Sequence, residues 1–186
     1  MTRSLIILAA ALLACSGTGD DDAPDDASHV LTPPPTAAGD SALAGFIDNA
    51  LELPGRTRAE LAARLGEPDS TSARTVENRH DPSVTDSVLT LHYPGLVAEI
   101  YRAGYDGKEI LASVEVSDAV HLRPMVDAGI GTSADAVRAA LGEPATATAT
   151  LLEYVCDECL VSGHETVRFT LEEGIVRRIH IQYWVD

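Results

Sequence analysis

The chain is poor in aromatic residues, with one Trp, two Phe and five Tyr among 186 positions. Its core must therefore be built mostly from aliphatic side chains. Basic residues are also scarce, 13 against 29 acidic ones, which gives a formal charge of −16 and a pI near 4.5. A surface this acidic repels phosphate backbones, so nucleic acid is excluded as a partner. The six histidines are scattered and never paired at a spacing such as HExxH, and no two carboxylates are brought together by local spacing. No catalytic constellation is present, so the expectation is a non-enzymatic protein with no cofactor and no resident metal. "AGIGTSA" has glycines like a phosphate loop, but no strand precedes it and no Lys follows, and it reads better as a turn into a helix cap. Apolar residues make up 45% of the chain, enough for a core of one domain or two small ones.

Long apolar runs are missing too. The longest, Leu5–Ala14, follows Arg3 and stops at Cys15. It is shorter than the ~20 residues a permanent membrane helix needs and has the shape of a secretory signal. "Leu12-Leu13-Ala14-Cys15" resembles the lipobox of bacterial lipoproteins. That resemblance implies cleavage after residue 14, lipidation of Cys15 and, with Ser16 following, transfer to the outer membrane. Residues 15–42 then read as a lipidated Cys and a disordered acidic tether, because "DDDAPDD" and "TPPPTAAGD" bury too little to offset chain entropy. Removing Asp20, Asp21, Asp22, Asp25, Asp26, Asp40 and Arg3 from the 29 acidic and 13 basic residues leaves 23 and 12, so the remainder is acidic by itself at −11.

One phrase is written twice. "RTRAELAARLGEP" ends at Pro68 and "GTSADAVRAALGEP" at Pro144, with Gly66 and Gly142 76 residues apart. Thr57 and Ser133 are N-cap residues, and Thr57-x-x-Glu60 fits a capping box. Leu61/Leu65 and Val137/Leu141 share a helix face at i, i+4, and Gly-x-Pro terminates each helix. Glu67 and Glu143 within "LGEP" are punctuation, not catalysts.

Past each stop the hydrophobic period becomes two. Leu89, Leu91 and Tyr93 alternate, then "LVAEIY", a turn at Asp106-Gly107, and a strand placing Ile110, Ala112, Val114 and Val116 on one face. The second half offers "LLEYVC", "TVRFTL" with Val167, Phe169 and Leu171 inward, and "IVRRIHIQYWV". That last strand reads with Ile175, Arg177, Ile179, Ile181 and Tyr183 inward, although Arg177 sits awkwardly there. "SARTVENRHDPSVTD" is an extra loop or edge strand of the first half, and "LAGFIDNALEL" and "HLRPMVDAGI" could each supply a brief first helix. The expected fold is α+β: a tandem repeat, residues 43–118 and 119–186, of a short helix or helix pair followed by a three- to four-stranded antiparallel meander, with helices on one sheet face and the two copies packed together or their sheets side by side.

A capped helix ending in "LGEP", then a meander, in a lipoprotein, resembles the BamE/SmpA family of outer-membrane assembly lipoproteins, over Leu43–Asp186. The tandem form is similar to the beta-lactamase inhibitory protein. Such resemblances imply non-enzymatic protein binding through the uncovered sheet face: scaffolding in the envelope first, inhibition of a hydrolase second. BamE-like chains usually hold one unit, and the inhibitor's interface is rich in aromatics, which this chain lacks. On the last strands Arg168, Arg178, His180 and Trp184 face the same way and form the candidate partner-binding cluster. Cys156 and Cys159 remain once Cys15 is lipidated; in an oxidising compartment they read as a local disulfide. A redox pair, or zinc held with His164 and a further ligand such as His180, stands as the alternative.

Overall fold

The computed structural model describes residues 37–51, 56–123, 127–157, 159 and 165–183. Helix α1 (Ala37–Asn49) carries Leu43, Phe46 and Ile47 at spacings of three and four, which puts them on one buried face. It starts inside the stretch read as tether, so the helical chain reaches back to Ala37. Helix α2 (Arg58–Leu65) has its capping box: the Glu60 amide donates to the Thr57 hydroxyl at 3.3 Å, and the Glu60 carboxylate accepts from the Thr57 amide at 3.0 Å. The Arg56 amide, bonded to the same carboxylate, is the main reason its pKa lies below the usual value. Helix α3 (Ala134–Leu141) is capped by Ser133, which accepts from the Ala136 amide at 3.2 Å. Gly66 (φ 84°, ψ −173°) and Gly142 (φ 83°, ψ −164°) end α2 and α3 in a region open essentially to glycine alone, rather than in the left-handed helical well. No helix precedes α3 over the described part of "HLRPMVDAGI"; a 3₁₀ turn (Ala119–His121) and an isolated bridge from Leu51 to Leu122 stand there.

Eight strands follow the helices in two groups: β1 (Ser70–Glu77), β2 (Thr85–Tyr93), β3 (Leu96–Arg102) and β4 (Glu109–Val116), then β5 (Thr146–Ala147), β6 (Leu151–Cys156), β7 (Glu165–Glu172) and β8 (Ile175–Gln182). They form one antiparallel sheet in the order β1-β2-β3-β4-β8-β7-β6-β5. The expected α+β tandem of helix-plus-meander units is thereby corrected. Among the described residues, three short α-helices accompany a single, continuous, strand-dominated sheet. The physical reason lies at β4 and β8. Val114 stands opposite Ile181 and Val116 opposite Ile179, so two strands of matching alternation zip together and two exposed edges vanish. Helices of eight residues cannot cover separate sheets, and they share one core instead.

That core lies on one face. Leu43, Phe46 and Ile47 of α1, Leu61 of α2, and Val137 and Leu141 of α3 join Leu91, Ile100, Val114, Phe169, Ile179 and their neighbours in one buried cluster. Phe169 is its centre, 5.6 Å from the Phe46 ring and 5.8 Å from the Tyr154 ring.

Two bulges correct the strict alternation read from the sequence. Glu99 pairs with Ser113 and Ile100 with Leu111, which leaves Ala112 as the extra residue; Leu111, not Ile110, then enters the core. Thr170 pairs with Arg178 and Leu171 with Val176, which leaves Arg177 extra. Arg177 therefore stays exposed, and Val176 rather than Ile175 points into the core. The bulges fall 65 residues apart (177 − 112), the same offset as Val114 and Ile179, which again stand in matching positions. We expect Val176→Ala to cost about 2 kcal/mol in a denaturant titration. Arg177→Ala should change stability by less than about 0.5 kcal/mol, since its contact with Glu172 at 3.6 Å is exposed. The reverse ranking would restore the unbulged register.

Candidate functional site: the open face of the sheet

The side chains that alternate with the core residues occupy the opposite face of the sheet. Every buried helix side chain named above joins the core cluster, so none of them covers this face. Register brings one residue from each strand into a single row across it. The order is Ser70, His92, Val97, Glu115, His180, Arg168, Glu153 and Thr146. With strands ~4.8 Å apart, the row spans roughly 34 Å. A second row runs beside it through Thr90, Glu99, Ser113, Gln182 and Thr166.

The centre of these rows is polar and partly paired. Arg168 and Glu153, directly opposite on β7 and β6, are joined by a hydrogen-bonded ion pair. Arg178 reaches Glu115 at 3.4 Å, the Ser113 hydroxyl donates to Glu99 at 3.2 Å, and the Gln182 amide donates to the carbonyl of the bulged Ala112 at 3.0 Å. His180 lies half-buried between Glu115 and Arg168. Burial is the main cause that lowers its pKa, and Arg168 adds to it, while Glu115 and Glu99 oppose. The site at neutral pH is thus a neutral imidazole flanked by charges of both signs. Exposed pairs of this kind stabilise little, so their side chains can be repurposed by a partner at small cost.

The sequence had pointed to Arg168, Arg178, His180 and Trp184. The first three do share this face: Arg168 and His180 are cross-strand neighbours, and Arg178 lies two residues from His180 along β8. Trp184 lies outside the described residues, as do Cys15 and His164. Glu99, Glu115 and Glu153 were missed, because only the strand register places them beside the arginines. Cys156 and Cys159 meet as a disulfide at the end of β6, with Cα atoms 5.5 Å apart. Among the described residues no group of three His, Cys, Asp or Glu side chains could hold a metal, and no helix is long and apolar enough to cross a membrane.

Several concavities lie among the described residues, one of about 410 Å³ bordered by Ser87, Arg102 and Tyr105. Another, of about 530 Å³, opens between α1 and α3, walled by small residues such as Ala42, Gly45 and Ala140. Asn49, Arg123 and Asp127 are its polar lining residues. A smaller one, about 190 Å³, is on the open face at the β1 end, between Arg74, Glu77, Arg79, His80, Val76, Val88 and Tyr101. Beside it the buried Asp86 carboxylate accepts from Asn78 Nδ2 at 2.9 Å, from the Gly104 amide at 2.8 Å and from the Tyr101 hydroxyl. The Tyr101 bond is the main cause that lowers the Asp86 pKa, and the same bond raises that of Tyr101 to about 12. A carboxyl with a depressed folded-state pKa contributes stability that is full above its unfolded value and lost as pH falls through the folded one. Acid titration should therefore show a destabilisation beginning near the ordinary Asp value of 3.8 and continuing below it. In Asp86→Asn that component should be absent; an unchanged acid profile would remove Asp86 as its source.

Comparison of the chain with family models, curated proteins and solved structures finds no match to any of them.

Proposed function

We propose that the chain is a lipid-anchored, non-enzymatic binding or scaffolding module of a bacterial cell envelope. Cys15 carries the anchor and the acidic tether holds the folded part away from the bilayer. The sheet presents its open face to another envelope protein. The signal-like run, the lipobox residues and Ser16 support an outer-membrane address, with the module facing the periplasm. The "LGEP" helix punctuation supports a kinship with the BamE/SmpA lipoproteins. The observation that carries the binding reading is the sheet face opposite the core cluster, crossed by a continuous register-matched row that holds Arg168 and His180, with Arg178 two residues from His180 along β8. Such a face is a surface on which a partner can be oriented by charge on both sides.

The test is capture of partners by the full lipoprotein from native envelopes after cross-linking, next to an Arg168→Glu/Arg178→Glu variant. These arginines are exposed, so the variant should fold normally. The expected result is one envelope protein or complex enriched by the wild type and reduced at least tenfold by the variant. Equal enrichment by both would reject this face as the binding surface.

A further inference from the structure

We propose that β1 is a docking edge at which an extended, acidic segment of a partner polypeptide adds to the sheet as a ninth strand. This rests on the reading of the chain as a binding module and supplies the mode of binding and the chemistry of the partner.

The two ends of the sheet are built differently. At one, β5 is only two residues long, which leaves little edge to pair with. At the other, β1 runs for eight residues, contains no proline, and pairs with β2 at every position without a bulge. All of its residues are exposed except Val76, which is half-buried. An edge of this length is a template for strand addition, and proteins generally blunt it unless it is used.

The backbone groups available on that edge can be identified. The Asn78 amide donates to the Val84 carbonyl at 3.3 Å, and these positions continue the β1–β2 register. Hydrogen-bonded pairs alternate along an antiparallel ladder, so Ser70, Ser72, Arg74 and Val76 bond to β2. Thr71, Ala73, Thr75 and Glu77 consequently direct their amides and carbonyls away from the sheet. No described strand pairs with them.

Charge selects the occupant. Arg138, Arg168, Arg177 and Arg178 each have a carboxylate partner. Arg74 and Arg79 form no ion pair among the described residues, in a chain with 29 acidic residues. With His80 they border the pocket of about 190 Å³ floored by Val76, Val88 and Tyr101. Glu77 is the one carboxylate lining it, and Asp86 already has its three donors. A carboxylate on the added strand, placed beside Arg74, would receive the guanidinium fork next to an apolar floor. The net charge of −16 opposes an acidic ligand at long range. At physiological ionic strength the screening length is ~8 Å, so the nearby arginines dominate at contact.

The experiment follows backbone amide signals of the full chain by NMR as two end-blocked octapeptides are added. Both alternate threonine and valine; one carries two central glutamates, the other two lysines. The expected result is shift changes and slowed amide exchange at Thr71, Ala73, Thr75 and Glu77 with the glutamate peptide, and at least tenfold weaker binding of the lysine peptide. Thr75→Pro removes an outward amide without breaking a β1–β2 bond and should abolish binding, with exchange protection at Ser72 and Arg74 retained. Arg74→Glu should reverse the preference between the peptides, which keeps the test decisive even if the proline disturbs β1. Absence of changes at β1 with saturating peptide overturns the proposal, and so does equal affinity for both peptides. Changes confined to Arg168, Arg178 and His180 also overturn it while leaving the binding-module reading in place. Concentration-dependent self-association through the β1 amides would assign the edge to a second copy of the chain and overturn the acidic-peptide occupant.

Discussion

Phe169→Ala is expected to lower the free energy of unfolding by about 3–5 kcal/mol, among the largest losses a single substitution can cause here. The ring is fully buried in β7 and touches a helix on one side and a neighbouring strand on the other, through Phe46 and Tyr154. Its removal takes away the burial of a large side chain, leaves a cavity that the aliphatic surroundings close only in part, and breaks two ring contacts. In a chain with two Phe and one Trp no other ring can take its place. Against a total stability of about 5–15 kcal/mol, this is a fall in melting midpoint of roughly 6–20 °C. Phe169→Leu should cost markedly less because it fills most of the volume. Denaturant titrations of both variants make the check. A loss below about 1 kcal/mol for Phe169→Ala would mean that α1 is not held against the sheet at this point.

Cys15→Ser should release the protein from the membrane almost completely. The run Leu5–Ala14 is shorter than the ~20 residues a permanent membrane helix needs, and among the described residues no helix is long and apolar enough to cross a membrane. A single acyl chain binds bilayers only marginally. Several chains on one cysteine bury enough methylene groups, at ~0.8 kcal/mol each, to make attachment effectively permanent. In the proposed anchor all of the chains sit on one thiol, so the effect of its removal is expected to be close to all-or-none. Membrane fractionation with a detergent and a carbonate wash reads it directly. Unchanged attachment of the serine variant would reject the lipid anchor, and with it the envelope address built on it.

What could be read from the sequence depended on how local the cause was. The caps at Thr57 and Ser133 and the glycine stops at Gly66 and Gly142 are decided within one helical turn, and they stand where the pattern places them. The inward set Val167, Phe169 and Leu171 follows from alternation alone. Arg177 marks where alternation fails. A bulge shifts the phase by one residue and leaves no local signature beyond an ill-placed charge. Sheets running side by side were among the expectations, but that β4 and β8 are the strands that meet was illegible for a different reason. Their joining pairs segments more than 60 residues apart, and nothing in "LASVEV" or "RRIHIQ" names the other as its neighbour. The tandem picture was therefore corrected at the one contact that no local pattern encodes. The same holds for the candidate site. Arg168, His180 and Arg178 were visible as outward residues of adjacent strands, whereas Glu115 and Glu153 became their partners only through register.

The most direct measurement places a photoreactive amino acid, one at a time, at positions on the open face and on the helical side of the full lipoprotein in native envelopes. Thr166, Thr170 and His92 report on the face, and Ala63 and Arg64 on the surface of α2. The open-face account predicts that illumination joins the same partner to Thr166, Thr170 and His92, with none from α2. Capture of that partner mainly from Ala63 or Arg64, with the open face silent, would contradict it.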